Sequence, residues 1–136
     1  MGRIGINPGT YFLETAEETL NFGSMLARNI PPNSILALSG QLGAGKTTFV
    51  QGLAKGLGIE EPIQSPTFVL LNVYENLAHF DVYRLSEPSD FHAMGFDEYF
   101  DSNLICAIEW PEKILDVLPE RTIWLHFHYD EHRGRI

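Results

Sequence analysis

Ser34-Ile35-Leu36-Ala37-Leu38-Ser39-Gly40-Gln41-Leu42-Gly43-Ala44-Gly45-Lys46-Thr47-Thr48-Phe49-Val50 joins a short apolar run to a glycine-rich loop and then to the start of a new periodic segment. From Gly40 to Thr47 the residues fit G-x-x-x-x-G-K-[ST], the Walker A pattern of phosphate-binding loops. Glycines at 40, 43 and 45 allow positive φ and let backbone N–H groups approach phosphate oxygens that a Cβ would hold off. Lys46 supplies a positive charge for the β- and γ-phosphates, and Thr47 a hydroxyl for magnesium. The helix that follows directs the positive end of its dipole at the same anion. The ligand class is a nucleoside triphosphate with Mg2+, cradled by Gly40, Gln41, Leu42, Gly43, Ala44, Gly45, Lys46, Thr47 and Thr48.

The flanks agree with the loop. Ser34 to Ser39 reads as a strand buried on both faces of a parallel sheet. Beyond the loop, Phe49, Val50, Leu53, Ala54 and Leu57 recur at helical spacing, and Gly56 and Gly58 supply a C-terminal stop. Strand, phosphate loop and helix in this order predict an α/β fold of the P-loop nucleoside-triphosphatase kind.

The 136 residues fit one domain spanning 1–136, with 1–10 as a loose lead-in, and leave no length for a separate substrate domain. Nine Lys and Arg stand against 18 Asp and Glu, a net charge of −9. That balance argues against autonomous binding of nucleic acid, whose affinity rests on neutralising phosphates, and leaves only local basic patches near Lys55 or Arg133. Cys106, the single cysteine, lies in the apolar run Leu104 to Ile108 and reads as a buried, reduced thiol. The amino terminus has no apolar h-region, Ile6 breaks the myristoylation pattern, and no apolar stretch reaches the roughly 18 residues that span a bilayer. A cytoplasmic protein without a membrane partner is expected.

Outward from the loop, Thr15 reads as the N-cap of a helix with Glu17 and Glu18 in its first turn. Leu20, Phe22, Gly23, Leu26 and Ala27 form its buried stripe, and Pro31-Pro32-Asn33 ends it. Phe68 to Tyr74 and Leu77 to Tyr83, with a turn at Glu75-Asn76, predict an antiparallel hairpin. Pro88-Ser89-Asp90 opens a short helix that contains Phe91 and Met94 and continues to Phe100. Asn103 to Ile108 is a buried strand ending at Glu109, and Pro111 prevents its extension. Ile114, Leu115 and Leu118 suggest another short helix, and Thr122 to Tyr129 a last strand. The expected architecture is a single α/β domain: a mostly parallel sheet with one antiparallel hairpin and helices on both faces.

A magnesium ion at a phosphate loop needs a carboxylate at the end of a neighbouring hydrophobic strand. Two strands run apolar into an acid, at Asp81 and at Glu109, which read either as metal-site acids or as solvated strand ends. Ser65-Pro66-Thr67 reads equally as a hydroxyl-bearing loop that senses a γ-phosphate and as a turn before a strand. Arg84 either stabilises phosphoryl charge or pairs with a surface acid, and Trp110 either packs beside the site or faces a partner. His79, His92, His126, His128 and His132 have no zinc spacing and read as surface or core histidines.

Together, Leu42 to Phe49, Ser65-Pro66-Thr67-Phe68, His79-Phe80-Asp81-Val82-Tyr83-Arg84-Leu85 and Ile108-Glu109-Trp110-Pro111 resemble the motifs of the TsaE family, formerly called YjeE, in order and rough spacing over residues 12 to 135. Met94 to Phe100 is similar to the family's segment between the last two motifs. The resemblance implies an ATPase, with ATP and Mg2+ as cofactors, required for bacterial synthesis of N6-threonylcarbamoyladenosine in tRNAs that read codons beginning with A. It implies a hetero-complex with two related proteins, TsaD and TsaB, whose threonylcarbamoyl transfer the ATPase supports without modifying the tRNA, so that tRNA contact is indirect or weak. Carried onto this sequence, Lys46 and Thr47 bind phosphate and Mg2+, Glu109 is the strand-end metal ligand, and Asp81 is a metal-site or water-positioning acid. Thr67 and Trp110 fall near the nucleotide and Thr15 near the adenine. The resemblance also implies a further strand or tail past Ile136.

Three other functions compete. A small-molecule kinase shares the loop but needs an acceptor pocket and usually an arginine-bearing lid, for which the chain has little length. A guanine-nucleotide switch would carry Asn-Lys-x-Asp, absent from this sequence. A nucleotide-sensing binding module differs from the ATPase only in needing occupancy rather than turnover. Charge stabilisation by a supplied arginine accelerates phosphoryl transfer by roughly 10³ to 10⁵, and only Arg84 is well placed in sequence. Slow turnover by the isolated chain, altered by a partner, is therefore expected.

Overall fold

The computed structural model describes residues 9–40, 45–63, 70–130 and 134–135, with backbone alone at 129–130 and 134–135. Gln41, Leu42, Gly43 and Ala44 of the phosphate loop, and Ser65, Pro66, Thr67, Phe68 and Val69 of the second loop, lie outside the described residues. The chain divides into two compact units, one comprising Met1–Pro31, Gly40–Ile63 and Phe127–Ile136, the other Pro32–Ser39 and Gln64–His126.

The first unit is built on two helices. Helix α1 (Ala16–Asn29) starts where the Thr15 hydroxyl accepts the Glu18 N–H at 3.1 Å, and the acids of its first turn complement the helix dipole. The expected stripe is present, with Gly23, Leu26 and Ala27 buried beside Thr19 and Ser24. Helix α2 (Lys46–Gly56) buries Phe49, Val50, Leu53 and Ala54. The two helices meet backbone to backbone. A Cβ on Gly23 would meet the carbonyl oxygen of Phe49, one on Gly52 that of Leu20, and one on Gly56 that of Ser24. Gly56 thus serves packing rather than the helix stop assigned to it from sequence. The stop is Gly58 alone, at φ +80°, where its N–H reaches Lys55 O at 3.1 Å and the Ile59 N–H reaches Ala54 O at 2.9 Å.

The sheet has five strands in the order β2-β3-β4-β1-β5: β1 (Ile35–Gly40), β2 (Leu71–Tyr74), β3 (Leu77–Asp81), β4 (Ile105–Glu109) and β5 (Ile123–Phe127). β4 pairs in parallel with both β1 and β3, while β2 and β3 form the expected antiparallel hairpin around Glu75-Asn76. β4 is buried at every position and β1 at all but Gly40, which is why both read as continuous apolar runs. On one face Ala78, Phe80, Cys106 and Ile108 join Ile35 in a core with Val82, Leu85, Phe91, Phe100 and Ile114. The Phe91 ring lies 5.3 Å from that of Phe80 and 5.4 Å from that of Phe100, distances at which aromatic pairs add to simple burial. The alternation of strand side chains gives the other face Leu36, Leu38, Leu77, Ile105 and Ala107.

Several elements are shorter or tighter than the sequence suggests. Among the described residues β2 begins only at Leu71, because Leu70 sits at φ +66°, and β3 stops at Asp81, where the Val82 N–H turns to the carbonyl of Glu109 at 3.3 Å. The helix expected through Phe100 is broken. Helix α3 (Pro88–Ala93) gives way at Gly95, φ +75°, to a 3₁₀ stretch at Phe96–Asp101; Phe91 is buried and Met94 is half exposed. Pro111–Val117 is likewise 3₁₀, with Ile114 buried and Leu115 exposed. β5 ends at Phe127 rather than Tyr129, and the short strands β6 (Tyr129–Asp130) and β7 (Gly134–Arg135) pair antiparallel. No helix among the described residues is long and apolar enough to cross a membrane.

Cys106 is buried, as its apolar run implied, and its Sγ lies 3.4 Å from the carbonyl of Tyr99. Burial pushes the thiol pKa up to about 12, opposed in part by the charge of Arg121. The native protein should therefore resist iodoacetamide at pH 8 and react fully only in denaturant; rapid alkylation of the folded chain would contradict the burial. The raised pKa also fixes a sign. Its stabilising contribution is complete below the unfolded value near 9 and is lost as pH climbs toward about 12.

Candidate functional site

The phosphate-loop residues that are described all belong to the first unit. β1 ends at Gly40, whose φ of +131° is open to glycine and whose missing Cβ would otherwise strike the backbone carbonyl of Phe127. Gly45 holds φ +103° as the N-cap of α2, with no side chain closing the helix start, and accepts the Phe49 N–H at 2.9 Å. Lys46 is 5% exposed, and its Nζ donates to Gly40 O at 3.1 Å, so the first and last parts of the loop meet at the ammonium. Thr47 is exposed and Thr48 partly buried. Thr15 is exposed, with its hydroxyl oxygen occupied as the α1 cap.

The acids belong to the second unit. Parallel pairing puts Asp81 of β3 in register with Glu109 of β4, and His79 in register with Ala107, so His79, Asp81 and Glu109 project on the same face at the carboxyl ends of their strands. Glu109 is only 6% exposed, which removes the reading of it as a solvated strand end. Its Oε2 lies 2.7 Å from Nε2 of His79, which is 0% exposed. Asp81 is partly buried and accepts the Tyr83 N–H at 3.1 Å.

Trp110 follows Glu109 in the left-handed region at φ +63°, a conformation uncommon outside glycine and asparagine. Its ring lies 4.8 Å from that of Tyr83, over which Lys113 Nζ sits at 5.5 Å, and Arg84 is exposed.

Sequence reasoning missed His79, grouping it with the other histidines. The signal was there in the strand alternation: a histidine two residues before an acid, between Ala78 and Phe80, shares that acid's face of the sheet. The remaining described histidines are at the surface. His92 hydrogen-bonds Asp97 at 2.6 Å, which raises its pKa, and His126 meets Ser39 Oγ at 2.6 Å. Among the described residues no three His, Cys, Asp or Glu side chains gather as a metal cage.

Known proteins match this chain over most of its length. The family profile described as threonylcarbamoyl adenosine biosynthesis protein TsaE matches residues 13–136. The tRNA threonylcarbamoyladenosine biosynthesis protein TsaE of Treponema pallidum is 46% identical over 112 residues, covering 80% of this chain and 83% of that protein. Its counterpart in Rickettsia typhi is 42% identical over 129 residues, covering 91% and 89%. Among solved structures, the crystal structure of Bacillus subtilis YdiB superposes with a TM-score of 0.78 at 32% identity, covering 92% of this chain and 79% of that one. The four sequence motifs, the α/β fold with its mostly parallel sheet and these matches agree: the chain belongs to the TsaE family.

Proposed function

We propose that this protein binds ATP with Mg2+ and hydrolyses it slowly, in a cytoplasmic complex with TsaD- and TsaB-like partners, in support of N6-threonylcarbamoyladenosine formation on tRNA. Lys46 carries this reading. It opens α2 directly after a left-handed Gly45, and its buried ammonium rests on the carbonyl of Gly40. Phosphate oxygens are stronger partners for an ammonium than the neutral carbonyl it meets at Gly40.

The donor set suits magnesium. Magnesium at nucleotide sites keeps several waters and takes one or two carboxylates alongside phosphate oxygens, so a closed protein cage is not needed. Thr47, Asp81 and Glu109 are the residues proposed to hold it. When bound, the ion would neutralise charge on the β- and γ-phosphates. Lys46 would add a fixed charge to the same phosphates, and Asp81, at the carboxyl end of β3, would orient a water. The net charge of −9 suits docking on proteins that themselves carry the tRNA.

The test is nucleotide binding and hydrolysis with ATP or GTP, with and without the partner pair. We expect ATP to be preferred, turnover alone to be slow and the partners to change it; fast turnover by the isolated chain would contradict the reading. Glu109→Ala should remove most of the Mg2+ dependence of nucleotide binding. A variant that responds to Mg2+ as the parent does would remove Glu109 from the metal site.

A further inference from the structure

Buried histidine at position 79 has one hydrogen bond among the described residues, from Nε2 to Oε2 of Glu109 at 2.7 Å. Its other ring nitrogen, Nδ1, is buried with no partner among the described residues. Leaving a polar atom unsatisfied in a protein interior is unfavourable, so a ring present only to fill space would be better replaced by an apolar side chain. The sheet also makes room for it. Ala107, in register with His79, is the smallest side chain on that part of the face, and it lets the imidazole reach diagonally past it to Glu109, two residues farther along β4.

A carboxylate only accepts, so Nε2 carries the hydrogen of this bond. Fixing Oε2 in this way fixes the plane of the carboxyl group and leaves Oε1 as the ligand oxygen. We propose that His79 is a positioning residue that holds the Glu109 carboxylate in its metal-binding orientation, so that the affinity for Mg2+ depends on His79 although His79 does not itself bind the ion. Carboxylate ligands held by hydrogen bonds from outside the coordination sphere typically lose 10- to 100-fold in metal affinity when that partner is removed.

This inference rests on Glu109 being the metal ligand, and the experiment separates the two. Mn2+ binding to the ATP-loaded protein is measured by electron paramagnetic resonance, with ATP affinity in the absence of metal and thermal unfolding recorded alongside. His79→Leu and His79→Asn should weaken Mn2+ about 10- to 100-fold, with metal-free ATP affinity unchanged. His79→Gln, whose amide nitrogen reaches the place of Nε2, should stay close to the parent. Asn, whose amide sits near the position of Nδ1, controls for a general need for a polar group. If the Leu variant does not fold, the contrast between Asn and Gln decides alone. Equal Mn2+ affinity in Asn, Gln and parent overturns the proposal, as does a Gln variant as weak as Asn. Glu109→Gln serves as reference: if it weakens Mn2+ and the His79 variants do not, only the positioning role falls. If Glu109→Gln has no effect, the metal assignment falls and takes this inference with it.

Discussion

Lys46→Ala should lose ATP binding almost completely while the protein remains folded. Hydrogen bonds to charged groups contribute about 1.5–3 kcal/mol each, so loss of two phosphate contacts weakens binding by roughly 10² to 10⁴. The fold depends on Lys46 less, because its bond to Gly40 O is made to a neutral carbonyl and the helix it opens is held by the burial of Phe49, Val50, Leu53 and Ala54. Calorimetric titration with ATP and Mg2+, beside a circular dichroism spectrum, checks both halves. An Ala variant that binds ATP within a few-fold of the parent would mean that the glycine-rich loop is not a phosphate site.

Gly52→Ala should destabilise the protein, against the usual trend for glycine in helices. Ala is favoured over Gly in a helix interior by about 1 kcal/mol. Here the new methyl group would run into the carbonyl oxygen of Leu20, and backbone in a packed helix cannot rotate away as a side chain can. Overpacking costs typically 1–3 kcal/mol, and a backbone obstacle puts this case at the upper end, so a net loss of about 2 kcal/mol is expected. Urea unfolding measures it. Gly58→Ala is the contrast, since nothing lies within 4 Å of its Cβ position and the cost there comes only from φ +80°. Asn at position 58, which tolerates that conformation, should cost less than Ala, whereas Asn at position 52 should cost more. A Gly52→Ala variant as stable as the parent would show that the helices separate freely.

Much of this was legible in the chain because the relevant signals are local. The continuity of β1 and β4, the Thr15 cap and the entry from Gly45 into α2 are each determined within a few residues, and they appear with bounds shifted by one or two positions. The broken segment around Gly95 was less legible, since the residues from Pro88 to Phe100 hold no proline after the first and read as one continuous helix. A left-handed glycine redirects the chain between them so that Phe91 and Phe100 reach the core and Met94 does not. Gly56 misled for a related reason: near a helix end, a glycine that stops the helix and one that admits a neighbouring backbone look alike in sequence. The His79–Glu109 pair spans 30 positions and depends on strand register, which no window along the chain contains.

The contact between α1 and α2 has a mechanical consequence. Where helices are separated by a layer of side chains, rotamers can readjust and the helices slide past one another by small shear steps. At Gly23, Gly52 and Gly56 that compliant layer is missing, and carbonyl oxygens of one helix occupy the space where Cβ atoms of the other would be. The pair is therefore stiff to sliding. Because α2 begins at Lys46, a displacement of its amino end is carried into α1 as the movement of one body, with little lost along the way.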